Sequence, residues 1–158
     1  MNKTKTEGAY KAGNGEYVFE IDQLEGLMAG PGYSETFGPV VEGELTQVGV
    51  MTLPAGQGSD PHYHANEQWV YILQGNLEIT VDGKKSSAGP GGLIYFPANV
   101  VHSVTVSPDE DCRFFTCKDM RTGIYGQLRR RVNVVKIFPR RRIRRKDLDR
   151  NGQQIKHE

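Results

Sequence analysis

Gly56-Gln57-Gly58-Ser59-Asp60-Pro61-His62-Tyr63-His64-Ala65-Asn66-Glu67-Gln68 is the stretch from which the fold of this 158-residue chain can be read. Two imidazoles stand at i and i+2, and in an extended strand such side chains leave the same face. His62 and His64 can therefore point at one spot. If the chain turns after His64 and re-enters a strand near Glu67, the Gln68 carboxamide can face that spot too. Neutral imidazole nitrogens suit first-row divalent metals, and an amide oxygen can complete a harder site. A fourth ligand must come from elsewhere. His102 is the natural candidate, because it follows the strand-like run Leu93-Ile94-Tyr95-Phe96 and the turn Pro97-Ala98-Asn99.

These residues fall into two spaced motifs, and the chain resembles a cupin. In the first motif Gly56, His62, His64 and Gly75 stand in place, with Gln68 where the family carries Glu. In the second Gly91, Pro97 and His102 match, Asn99 replaces a Gly and Val106 replaces a final Asn. Asn at the Gly position is a mild departure, since Asn is the next-best residue at positive φ. The resemblance covers about residues 44 to 118. It implies an all-β fold, a double-stranded β-helix (jelly-roll or cupin barrel), here with an N-terminal arm and a basic C-terminal extension. The corresponding division is 1–43 for the arm, 44–120 for the barrel and 121–158 for the extension.

Small cupins that linearise unsaturated uronates in pectin degradation, and the cupin hydroxynitrile lyases, use three His and one Gln. The string here is similar. The resemblance therefore implies one divalent transition metal (Fe, Mn, Ni or Zn) held by His62, His64, Gln68 and His102. Gln in place of Glu leaves such a site one negative charge poorer, which strengthens a Lewis acid and favours an anionic ligand. The expected activity is that of a small metalloenzyme acting on a carboxylate, sugar-acid or keto-acid small molecule, of isomerase, lyase or dioxygenase type. A non-catalytic ligand-binding or sensor cupin is the alternative. No general base is identifiable; Tyr95 and Arg113 are the only candidates that suggest themselves.

Composition sets the frame. With 37% hydrophobic residues and 19 glycines, the chain suits one turn-rich β domain with a proper core. No apolar run reaches membrane-spanning length and no secretory signal is visible at the N-terminus, so a cytoplasmic setting without membrane contact is expected. Cys112 and Cys117 lie five apart, an odd offset that puts them on opposite faces of one strand, so they are not expected to bridge. The net charge of +1 hides a division. From Gln127 onward twelve Lys and Arg stand against three acidic residues, while the preceding part carries eight against sixteen. Such a tail can mark an anionic partner, or lie on its own acidic body or on a twin subunit. No aromatic interleaving or recognition helix supports sequence-specific reading of nucleic acid, which is not expected as a partner.

Along the chain, residues 1–16 read as loose, Tyr17–Ile21 as a short strand and Gly26–Gly38 as a long surface loop. Glu44–Leu53, Gln68–Gln74, Leu77–Val81, Leu93–Phe96, Val100–Val106 and Cys112–Cys117 read as strands. Asp82-Gly83 signals a type I′ hairpin, Ser86–Gly92 reads as loop and Ser107–Asp111 as an acidic hairpin loop. Val132–Phe138 has strand composition. In Gln68–Gln74, period two sends Gln68, Val70 and Ile72 inward and Trp69, Tyr71 and Leu73 outward, with Glu67 on the outer side. An outer row of this size needs cover. A homodimer is expected to supply it, with residues 17–40 of the same chain as the competing cover.

Overall fold

A computed structural model describes residues 3–129. Of the basic extension read as 121–158, residues 130–158 lie outside the described residues, and with them the strand-like run Val132–Phe138. Thirteen strands follow in order: β1 (Tyr10–Lys11), β2 (Leu27–Met28), β3 (Phe37–Gly38), β4 (Val40–Glu42), β5 (Thr46–Leu53), β6 (His62–Tyr63), β7 (Gln68–Gln74), β8 (Leu77–Val81), β9 (Lys84–Ala88), β10 (Leu93–Phe96), β11 (His102–Val106), β12 (Cys112–Asp119) and β13 (Gln127–Leu128). They form two sheets. The larger runs β1-β4-β5-β12-β7-β10, with β3 also on β5 and β2 on β3; the smaller runs β13-β6-β11-β8-β9. This is the all-β jelly roll expected of the sequence.

Alternation along the strands builds the core. On β5, Val48 and Val50 are half-buried while Met51 and Leu53 are sealed, and on β12 Cys112, Phe114, Thr116 and Lys118 all turn inward. On β7, Val70 and Ile72 are buried, whereas Trp69, Tyr71 and Leu73 keep 46%, 43% and 46% of their surface exposed. Cys112 and Cys117 are both free thiols, as the odd spacing predicts. Asp82 and Gly83 have φ of 49° and 75°, the two positive values a type I′ turn requires. Gly75 sits at φ 77°, and a Cβ there would lie 2.5 Å from the Asp111 carbonyl, so the turn after β7 has room for glycine alone.

Several local expectations are corrected. Residues 3–16 are not loose: Tyr10–Lys11 pairs in parallel with β4, and Thr6 is fully buried. The buried Glu42 carboxylate accepts from the Lys5 and Thr6 amides at 2.7 and 2.8 Å, which satisfies a charge that would otherwise be costly inside. Tyr17–Glu20 forms no strand, and Ile21 begins a single 3₁₀ turn, Ile21–Gln23. Gly26–Gly38 is not all loop, because β2 and β3 pair within it. Lys84–Ala88 is a strand despite its polar sequence, paired to β8 along five residues and exposed on the sheet edge. Ser107–Asp111 joins β11 of one sheet to β12 of the other, so it is a crossover and not a hairpin loop. Residues 17–40 do not cover the outer row of β7: Phe37 pairs with Thr52, and Asp22 binds Arg113.

Candidate metal centre

The site lies between the sheets and is built by register. In the smaller sheet His62 of β6 stands directly opposite His102 of β11. In the larger sheet Gln68 stands between Phe96 of β10 and Lys118 of β12. Directly opposed residues share a face, so one row of side chains meets the other across the barrel. The turn that follows β10 is tied to the first motif, with the Asn99 amide donating to the His64 carbonyl at 2.7 Å. Asn99 holds φ 62°, the left-handed conformation its position demands.

His62, His64 and His102 place ligand-capable atoms within 4.8 Å of one another. Their orientation is fixed in the same way. Each Nδ1 faces a backbone carbonyl two residues away: Asp60 at 2.9 Å for His62, Asn66 at 2.8 Å for His64 and Val100 at 2.9 Å for His102. A carbonyl can only accept, so each Nδ1 carries the proton and each Nε2 keeps a free lone pair. Asn66 is itself locked, donating to the Asp119 carbonyl at 2.7 Å and accepting from the Thr122 hydroxyl at 2.6 Å. Phe96 packs on His102 and Tyr33 on His62, with ring centroids 4.4 and 4.5 Å apart.

Gln68 joins this cluster. Its Nε2 donates to Thr116 Oγ1 at 2.8 Å, and the Thr116 hydroxyl donates to the Trp69 carbonyl at 3.3 Å. That chain of donors turns Gln68 Oε1 toward His64 Nε2, 2.9 Å away. Two lone pairs facing each other at this distance repel unless a cation lies between them. The donor set, three imidazole nitrogens and one amide oxygen, suits a divalent first-row metal.

Burial holds the imidazoles neutral. It pushes His64 down to about 4 and His102 down to about 3, and it lowers His62 as well. The neighbouring Lys118 charge adds to the lowering at all three. Neutral imidazole is the ligating form, so the fold prepares the cluster for a cation.

Glu67 takes the outer role expected of it, accepting from the Tyr95 hydroxyl at 2.7 Å. Tyr95 therefore faces away from the cluster and is no candidate base. Arg113 pairs with Asp22 on the surface, beside a separate shallow depression, and is likewise excluded. Among the cavity-lining residues that the sequence reading missed are Tyr33, Thr116 and Lys118. Period two from the buried Cys112 signals Thr116 within the strand as read, and Lys118 once β12 is carried beyond Cys117 to Asp119. Tyr33 left no local signal. Its hydroxyl accepts from the Gly126 amide at 2.7 Å and donates to the Ala29 carbonyl at 3.3 Å, a tertiary arrangement.

The comparisons agree with this architecture. Residues 49–117 match the family model described as Cupin domain. Quercetin 2,3-dioxygenase of Bacillus subtilis is 29% identical over 94 residues, which are 59% of this chain and 26% of that protein. A bifunctional lysine-specific demethylase and histidyl-hydroxylase of Branchiostoma floridae is 31% identical over 81 residues, 49% of this chain and 13% of that protein. The chain thus spans about a quarter or less of the length of these relatives. Among solved structures, the polyketide cyclase RemF from Streptomyces resistomycificus aligns with a TM-score of 0.60 at 19% identity, over 67% of this chain and 80% of that one. The Cnp3 cupin domain of Schizosaccharomyces pombe aligns with a TM-score of 0.51 at 22% identity, over 54% and 64%. KdgF from Halomonas sp. aligns with a TM-score of 0.50 at 20% identity, over 54% and 79%. Motifs, sheet topology and the family model agree: residues 49–117 of this chain form a cupin domain.

Proposed function

We propose that this chain binds one divalent transition metal through His62, His64, His102 and Gln68, and acts as a small metalloenzyme on a carboxylate, sugar-acid or keto-acid small molecule. The observation that carries the reading is the shared tautomer: three Nδ1 atoms donate to backbone carbonyls, leaving three Nε2 lone pairs, that of His64 2.9 Å from Gln68 Oε1. A bound metal would supply Lewis-acid polarisation of a carbonyl or carboxylate oxygen. The chain's residues do the rest. Thr116 fixes the Gln68 amide, Phe96 and Tyr33 hold two imidazole rings in place, and the apolar lining of Met51, Val70, Leu77 and Phe114 limits water around the reacting atoms. The name of the quercetin dioxygenase relative favours a second reading within the same class, iron-dependent dioxygen chemistry on the same ligand set.

The test is elemental analysis of purified protein with an activity screen on small carboxylic acids, with and without chelator. Wild type is expected to carry about one metal per chain, His62→Ala to carry almost none, and Gln68→Ala to lose less, because water can replace a neutral amide. Equal metal content in wild type and His62→Ala defeats the site. Full metal content with no turnover on any acid or with dioxygen favours the sensor cupin.

Assembly belongs to the same proposal. The exposed outer row of β7 continues sideways by register: Leu93 and Tyr95 on β10 stand opposite Tyr71 and Trp69, and Phe115 and Cys117 stand opposite the same two on β12. Leu93, Tyr95 and Phe115 are 63%, 40% and 38% exposed, so among the described residues this sheet face is a contiguous apolar patch. The same apolar face on a second copy of the chain would bury it, which supports a homodimer.

A further inference from the structure

Lys118 is the one charged side chain lining the metal cavity, whose walls hold no Asp or Glu among the described residues. It projects from the inner face of β12, directly opposite Gln68, and is only 5% exposed. Among the described residues its one hydrogen bond is to the Ile124 carbonyl at 2.8 Å. An ammonium has three donors, so the fold meets a fraction of its demand. Burial pulls the ammonium down to about 7, and the charge of the adjacent Asp119 offsets only part of that. That carboxylate accepts from the Glu67 amide at 2.8 Å and the Arg121 amide at 2.9 Å, on the opposite face of the strand. A buried cation without a counter-charge is costly to keep, and a bound cation nearby adds like-charge repulsion. An anion placed between the two removes both penalties.

We propose that Lys118 is the anion anchor of this site, taking the carboxylate of a small organic acid whose second oxygen faces His62, His102 and Gln68. The proposal rests on the metal reading above and narrows it to acids with a carboxylate beside a carbonyl or hydroxyl oxygen. Lys118 selects the ligand by charge, and the Ile124 carbonyl aims the ammonium. A purely structural Lys118, serving only to tie Ile124 to β12, makes a different forecast: its loss lowers stability and leaves ligand preference alone.

The experiment titrates the full-length chain, loaded with Co²⁺, with pyruvate against pyruvamide and with glucuronate against glucuronamide. Calorimetry reports affinity, and the cobalt visible spectrum reports arrival at the metal. Wild type is expected to prefer at least one acid over its amide by tenfold or more. Lys118→Gln can keep the bond to the Ile124 carbonyl without the charge; with unchanged cobalt content it is expected to lose that preference while binding the amide within about twofold of wild type. Lys118→Arg is expected to restore much of the preference, and serves as the charged control if Lys118→Gln fails to fold. Lys118→Gln that holds cobalt and keeps the acid preference overturns the anchor, as does a wild type that binds neither acid better than its amide. If wild type takes up no cobalt, the metal reading fails separately. In that case a preference for the acid that disappears in Lys118→Gln still upholds the anchor, and an indifferent metal-free chain overturns it.

Discussion

Thr116 sets the chemistry that Gln68 presents. Its hydroxyl oxygen accepts the Gln68 amide at 2.8 Å, so Oε1 and not Nε2 looks toward His64. Turned over, the same amide would donate to His64 Nε2 and blunt it as a ligand. A residue 48 positions away on β12 thus decides whether Gln68 belongs to the donor set.

This relationship is tested by Thr116→Val, which keeps volume and burial but removes the hydroxyl. Partners that orient a ligand are typically worth 10- to 100-fold in metal affinity, and a loss of about tenfold is expected in chelator competition. Unchanged affinity would show that Thr116 does not govern the amide or that Gln68 is not a ligand.

Gln68→Glu is expected to act in the opposite sense. The Thr116 hydroxyl can rotate to donate to a carboxylate, and the added negative charge attracts the cation. Metal should bind more tightly than in wild type, and small carboxylates more weakly. A variant that binds metal no better and treats acids alike places Gln68 outside the ligand set.

The buried imidazoles predict how the metal-free protein responds to acid. His64 and His102 fall from an ordinary 6.5 to about 4 and about 3 on folding. The unfolded chain therefore binds more protons than the folded one between those values, and stability rises with pH across the window. Lowering the pH from 6.5 to 5 should lower the urea midpoint, with a slope approaching about 1.4 kcal/mol per pH unit for each histidine. His102→Gln should flatten that dependence above pH 5, where few carboxylates titrate. A midpoint that is level from pH 6.5 to 5 in the metal-free wild type contradicts the buried neutral cluster.

Trp69→Asp checks the apolar face. Sedimentation at micromolar concentration should show a wild-type dimer and a monomeric variant, with metal content unchanged because Trp69 points away from the cluster. A wild-type monomer, or a variant that remains dimeric, removes the β7 face from the interface.

The sequence by itself determined the fold family, the inner and outer faces of β7, and the turns at Asp82-Gly83 and Asn99. Each of these is local: a period of two, a positive φ, or a motif spacing within one strand and turn. The paired imidazoles His62 and His64 were legible for the same reason, since i and i+2 share a face. Strand β9 was not legible, because Lys84–Ala88 is held by pairing with β8 and exposes its polar side chains at an edge. Nor was the full cavity. Tyr33, Thr116 and Lys118 reach the histidines only because β12 aligns Lys118 with Gln68 and the Gly126 amide captures the Tyr33 hydroxyl. Only the tertiary structure decided these meetings. A side chain's own strand fixes the face it leaves, but the partner across the barrel is fixed by inter-strand register and by which sheets close over one another.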